Sequence, residues 1–156
     1  MRKVLVTGMS GTGKSSALAE LRLRGFVTVD TDEPGWTEWS DAEDGYIWRE
    51  ERIAELLALD RETPLVVSGT VSNQGRFYPD FDAVVLLSAP AEVLLDRLAG
   101  RTTNDYGKSA EERELIVEHV AEVEPLLRAT CTHELDAGRP LPEIVDDLAR
   151  IASRAD

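Results

Sequence analysis

Gly8-Met9-Ser10-Gly11-Thr12-Gly13-Lys14-Ser15 is the stretch on which the reading of this chain turns. It fits the pattern G-x-x-x-x-G-K-[ST], and its flanks suit the pattern. Residues 3–7 ahead of it form a short apolar run rich in valine, which predicts a strand. Residues 14–24 behind it carry Leu18 and Leu21 at helical spacing and stop at Gly25, which predicts a helix. In a strand–turn–helix of this kind the glycines let backbone N–H groups converge on anionic oxygens, and the helix N-terminus adds partial positive charge. Lys14 is then the cation that reaches the β and γ phosphates of a nucleoside triphosphate, and Ser15 is the hydroxyl offered to Mg²⁺. Gly8, Gly11, Thr12, Gly13, Lys14, Ser15 and Ser16 are the candidate nucleotide-binding residues. A dinucleotide-binding turn, G-x-G-x-x-G, competes for the same place, but Ser16 stands where its third glycine belongs.

The rest of the chain alternates in the same way. Residues 26–30, 64–68 and 83–88 are short apolar runs of the kind found in a sheet covered on both faces. A fifth strand is expected over 130–135, closed by Asp136, Gly138 and Pro140. Between them, Asp44 is placed to cap a helix over 45–59, with Ile53, Leu56 and Leu57 on one face. Pro90 opens another helix that ends at Gly100 and turns Leu94, Leu95 and Leu98 inward. Ser109 and Glu112 have capping-box spacing ahead of Leu115, Ile116, Val120 and Val123, and Pro125 should kink or end that helix. Pro142 starts the last one, with Ile144, Leu148 and Ile151 in register. Strands alternating with helices, with no tandem run of hairpins, predict an α/β fold with a parallel sheet in three layers.

Composition narrows the function. A chain of 156 residues, 42% hydrophobic and 30% charged, has the size of one domain, 1–156, and can bury a real core. Thirty acidic residues against 17 basic ones give a formal charge of −13, which repels nucleic-acid phosphates and anionic bilayers alike, so neither is expected as a partner. The lone Cys131 makes neither an internal disulfide nor a zinc site, and a reduced, cytoplasmic setting fits it. The leading apolar run Val4-Leu5-Val6 is too short for a signal-peptide core, and no apolar stretch approaches membrane-spanning length.

Three places carry a resemblance to a known family: the glycine-rich loop, Asp30-Thr31-Asp32 at the end of the second strand, and Asp96-Arg97-Leu98-Ala99-Gly100-Arg101. Together they resemble the small P-loop kinases, the group that holds adenylate kinases and shikimate kinases. The resemblance implies a five-stranded parallel sheet of order 2-3-1-4-5 with helices on both faces. It also implies a short lid at about 101–109 and an acceptor-binding region at about 33–60. Asp30-Thr31-Asp32 looks like the Asp-x-Asp of shikimate kinases, where one carboxylate faces magnesium and the other the acceptor hydroxyl. Asp30 is accordingly assigned to the metal through water, beside Ser15, and Asp32 to the acceptor, the choice between the two carboxylates staying open. By the same resemblance Arg97 lies against the adenine and Arg101 reaches the transferring phosphate, with Lys108 at the lid tip as a second candidate. The implied catalytic set is Lys14, Asp32, Arg97 and Arg101. Residues 136–140 resemble the final loop that touches adenine through its backbone.

After the third strand, Asn73, Gln74 and Arg76 stand in a polar segment at a strand's carboxyl end and are candidates for gripping the acceptor. That segment lacks the aspartate or glycine triplet of many relatives, a departure that counts against shikimate as the acceptor and against the usual magnesium-ligand aspartate. Trp36, Trp39, Tyr46 and Trp48 crowd the expected helical arm after Asp32 and read as local core rather than site. His119 and His133 read as structural. The expected activity is ATP- and Mg²⁺-dependent transfer of a γ-phosphoryl group to a nucleotide, nucleoside or hydroxylated metabolite, by a monomer or homodimer. The alternative is an ATP-hydrolysing or ATP-binding regulatory module without a small acceptor. The guanine-reading Asn-Lys-x-Asp is absent from the sequence.

Overall fold

Val4, Leu5 and Val6 alternate across a strand, so burying all three requires cover on both faces of the sheet, and all three are fully buried. The computed structural model describes residues 1–9, 11–100 and 109–154. Strand β1 (Lys3–Thr7) leads through the glycine-rich loop into α1 (Lys14–Leu23) and then β2 (Val27–Asp30). A hairpin follows, β3 (Thr37–Ser40) and β4 (Gly45–Trp48), then α2 (Glu50–Ala58), β5 (Leu65–Ser68) and a 3₁₀ segment at Gln74–Asp80. The chain ends with β6 (Ala83–Ser88), α3 (Ala91–Ala99), α4 (Ala110–Thr130), β7 (His133–Asp136) and α5 (Leu141–Ser153). The main sheet has five parallel strands in the order β2-β5-β1-β6-β7. With the hairpin strands set aside, that is the expected 2-3-1-4-5.

Alternation along the strands builds two cores. Val4, Val6, Val66, Val85 and Leu87 meet Leu18 and Leu21 of α1 and Ile144 and Leu148 of α5. On the other face, Leu5, Leu65, Val67 and Val84 meet Ile53, Leu56 and Leu57 of α2 together with Trp48, Phe77 and Phe81. Parallel strands all present their carboxyl ends to one edge, where Thr7, Asp30, Ser68 and Ser88 are gathered.

Three expectations need correction. The helix expected over 45–59 begins only at Glu50, and residues 45–48 are the second strand of the hairpin. Asp44 does not cap a helix; at φ 51° it sits in the turn ahead of Gly45, a position that an Asp-Gly pair accepts. The strand-forming Thr37, Trp39, Tyr46 and Trp48 then pair across it. The fifth strand starts at His133 because Thr130 still belongs to α4, while Thr132 N–H already donates to the Val84 carbonyl at 2.8 Å. Helix α4 also does not end at Pro125 but continues to Thr130. Buried Ile116 before the proline and buried Leu127 after it dock both halves of the helix, and such packing outweighs one lost N–H.

Candidate active site

Gly8 leaves β1 at φ 148°, and a Cβ there would collide with the Leu87 carbonyl, so the loop passes β6 at a distance only glycine allows. Gly13, in the left-handed region at φ 92°, turns the chain into α1. The Thr12 hydroxyl, fully buried, donates to the Met9 carbonyl at 2.8 Å and closes the turn. The Lys14 ammonium rests on the carbonyls of Gly8, at 2.5 Å, and Met9, at 3.2 Å. Ser15 and Ser16 open α1, both exposed.

The first turn of α1 meets the end of β2. Ser15 Oγ donates to Asp30 Oδ2 at 2.6 Å, and Asp30 Oδ1 accepts the Asp32 N–H at 3.0 Å. Asp32 itself is exposed beside them. Mg²⁺ demands an oxygen octahedron with bonds near 2.1 Å, hence edges of about 3.0 Å, and it is usually held by one or two protein oxygens plus phosphates and waters. The Ser15 and Asp30 oxygens, 2.6 Å apart across a hydrogen bond, present two hard donors side by side, a donor set that suits the ion directly or with a water between. No cage of three or more His, Cys, Asp or Glu side chains accompanies it among the described residues.

Behind the carboxylates lies a buried polar frame that the sequence reading did not identify. Thr31, between Asp30 and Asp32, donates its hydroxyl to the Ser68 carbonyl at 2.8 Å and accepts the Trp48 indole N–H at 2.9 Å. A Cβ on Gly69 would strike the Thr31 hydroxyl and meet the Trp48 ring at 3.0 Å, so Gly69 makes this contact possible. Thr70 Oγ1 donates to the Gly8 carbonyl at 2.6 Å and accepts the Gly8 N–H at 3.3 Å. The glycine-rich loop is thus tied to the segment after β5. A short hydroxyl directly behind Ser68-Gly69 at a strand's carboxyl end was the available signal.

The three acceptor-gripping candidates differ in what they offer. Asn73 accepts the Trp48 N–H and donates to the Trp48 carbonyl and to Glu50 Oε2, at 2.9, 3.0 and 3.1 Å. Gln74 donates to Thr7 Oγ1 and Tyr78 OH and accepts the Val71 N–H. Each amide has two N–H bonds, and both are engaged inside the fold. Arg76 is exposed and pairs with Glu50 at 3.1 Å, leaving part of its guanidinium fork toward solvent. A groove of about 610 Å³ opens there, lined by Glu38, Ile47, Arg49, Glu50, Asn73 and Arg76 among others.

On the opposite flank, Arg97 donates to the Gly11 carbonyl at 3.1 Å and to the Ala137 carbonyl. It therefore bridges the glycine-rich loop and the loop at 136–140. Arg101, Lys108 and the expected lid lie outside the described residues. Beyond the end of β6, Ser88 Oγ donates to Glu134 at 2.7 Å, and Arg128 pairs with Glu134 at 2.9 Å. Arg128, then Ser88, hold the Glu134 carboxyl below the usual carboxylate range. His119 is exposed on α4, and His133 Nδ1 lies 2.8 Å from the Thr132 hydroxyl.

A family model described as an AAA domain matches residues 4–118, most of the chain and all the elements just described through α3. This chain belongs to that AAA domain family. Solved structures agree on the fold. Shikimate kinase from Acinetobacter baumannii in complex with shikimate aligns with a TM-score of 0.70 at 17% identity, over 97% of this chain and 92% of that one. A gluconokinase from Sinorhizobium meliloti 1021 aligns at 0.59 with 25% identity, over 97% and 93%. Deoxyadenosine kinase from M. mycoides with bound dATP aligns at 0.60 with 14% identity, over 95% and 97%. No curated protein matches the sequence. Its fold is that of the small P-loop kinases. Among the described residues no helix is long and apolar enough to cross a membrane.

Proposed function

We infer that this P-loop kinase transfers the γ-phosphoryl group of ATP to a hydroxyl of a small acceptor. The observation that carries the reading is the Ser15–Asp30 contact of 2.6 Å, which sets two hard oxygens at the mouth of a loop that also holds Lys14. The loop N–H groups of 8–16 bind the phosphates, and Lys14 moves from its carbonyl perch onto the β and γ oxygens. Ser15 and Asp30 would hold Mg²⁺, which would supply positive charge against the non-bridging β and γ phosphate oxygens. Arg97 braces the nucleotide side by tying its two loops together, and Arg101 is proposed as the lid cation.

Asp32 accepts the acceptor's hydroxyl proton as that oxygen attacks the γ phosphorus and the bond to the β–γ bridging oxygen breaks, so ADP leaves. Asn73 and Gln74 shape the acceptor side by holding the hairpin and the loop, and Arg76 offers it the N–H donors that Glu50 leaves open. ATP and the acceptor are the proposed partners, and residues 33–60 the acceptor-binding part of one domain. The test is ADP release by the purified chain with Mg²⁺ over a panel of nucleosides, nucleotides and hydroxylated metabolites. Acceptor-stimulated release is expected. Release indifferent to every acceptor would replace the reading with an ATP-hydrolysing module.

A further inference from the structure

Register divides the hairpin into two faces. Thr37 pairs with Trp48 and Trp39 with Tyr46 on one face, Glu38 with Ile47 and Ser40 with Gly45 on the other. The inner rung of the aromatic face is anchored: Trp48 is fully buried, with its indole N–H on Thr31, the residue between Asp30 and Asp32. The outer rung is not. Trp39 is 54% and Tyr46 64% exposed, although large aromatic rings are costly to leave in water. They meet edge to face, centroids 5.4 Å apart at 83°, an arrangement that leaves ring face uncovered. One rung is two residues, or about 7 Å, further along the strand from Trp48. The pair therefore lies on the same face of the hairpin, one rung outward from the Trp48 that is anchored on Thr31 behind the two carboxylates.

Charge identifies the occupant. Residues 25–48 contain Asp30, Asp32, Glu33, Glu38, Asp41, Glu43 and Asp44 and not one lysine or arginine. The Trp39 indole N–H donates to Asp41 Oδ1 at 2.7 Å, so a carboxylate lies at the edge of the exposed ring. An aromatic face edged by a carboxylate attracts a cation twice, through the ring quadrupole and through the charge. Carboxylated and phosphorylated acceptors meet the same field as repulsion. The arginines of the neighbouring groove line the hairpin's other side with Glu38 and Ile47 and are engaged there. Arg76 is paired with Glu50, Arg52 lies 4.5 Å over the Trp36 ring and donates to the Gly35 carbonyl, and Arg49 donates to the Thr37 carbonyl.

We propose that the Trp39–Tyr46 rung is the specificity element of the acceptor site and that it selects a hydroxylated amine, an amino alcohol or amino sugar, whose ammonium sits on the rings while its hydroxyl lies at Asp32. This rests on the phosphotransfer reading above. It adds the sign of the acceptor's charge.

The test uses the purified chain with Mg²⁺ and three classes of alcohol. Ethanolamine, glucosamine and kanamycin carry ammonium groups, N-acetylglucosamine is neutral, and gluconate is anionic. Binding is measured by calorimetry in the presence of ADP, and turnover separately by ADP release. At least one amine should bind at least tenfold tighter than the neutral and anionic compounds. Trp39→Ala should remove about tenfold of that affinity, Trp39→Phe should retain most of it, and both should bind ATP as the parent chain does. Failure of all three amines to bind, tighter binding of gluconate or N-acetylglucosamine, or an amine preference untouched by Trp39→Ala overturns the proposal. Amines that bind through Trp39 yet never accelerate ADP release would instead overturn the phosphotransfer reading and leave the recognition element standing.

Discussion

Thr70 carries more of the site than its hydroxyl suggests. Its Oγ1 serves both the N–H and the carbonyl of Gly8 and lies 3.2 Å from the Thr7 hydroxyl. Removing that hydroxyl strands partners in a half-buried place, which costs about 1–3 kcal/mol. Thr70→Val should therefore lower the melting temperature and raise the KM for ATP, while Thr70→Ser restores both; steady-state kinetics with calorimetry decide it. Lys14→Ala should cut kcat on the order of a hundredfold or more, since a cation aimed at the transferring phosphates is lost, with the fold intact by circular dichroism. Asp32→Asn should slow transfer while ATP affinity stays, and a fall in nucleotide affinity instead would hand the metal to Asp32. At this scale the glycine-rich loop was legible because its chemistry is local: eight consecutive residues and their flanks. Asn73 and Gln74 were legible only as polar residues near the site. Their partners lie 25 and 67 positions away in the chain, and no spacing rule reaches that far.

The hairpin is the element the sequence disguised. Asp44 ahead of Ile53, Leu56 and Leu57 reads as a cap before an amphipathic helix, and that helix exists, but it starts at Glu50. The polar run Asp41-Ala42-Glu43-Asp44 ahead of Gly45, between two aromatic-rich stretches, is equally a hairpin signal, and the core chose it by burying Trp48. The five parallel strands survived reading from sequence because a doubly covered sheet demands near-continuous apolar runs. The hairpin, with one rung buried and one exposed, makes no such demand. Trp48 fixes it through both ring and backbone, since Asn73 pairs with its N–H and carbonyl as a neighbouring strand would. Trp48→Phe should keep the backbone pairing, lose the bond to Thr31 and leave a small void, costing about 1–3 kcal/mol in denaturant unfolding. Because Thr31 separates Asp30 from Asp32, the same variant should raise the KM for the acceptor more than that for ATP.

Over the whole molecule, the charge of −13 and the arginine-held carboxylates pull stability in opposite directions as pH falls. Protonating exposed acids relieves self-repulsion, which favours the folded state. Glu134, held down by Arg128 and Ser88, and Asp147, held down first by Arg139 at 2.7 Å, act the other way. A carboxyl with a lowered folded-state pKa binds fewer protons than it does unfolded, so its contribution is complete above the ordinary carboxylate range. It is lost as pH drops through the folded value. Glu134 is exposed and Asp147 partly so, and solvent screening keeps each effect modest. The melting temperature should accordingly stay level or rise slightly from pH 7 to about 5, then fall below about 4. Glu134→Gln, which removes one of the two linked protonations, should start lower at pH 7 and descend less steeply on the acid side. Parallel curves for parent and variant between pH 5 and 3 would show that Arg128 contributes nothing to the folded state through Glu134.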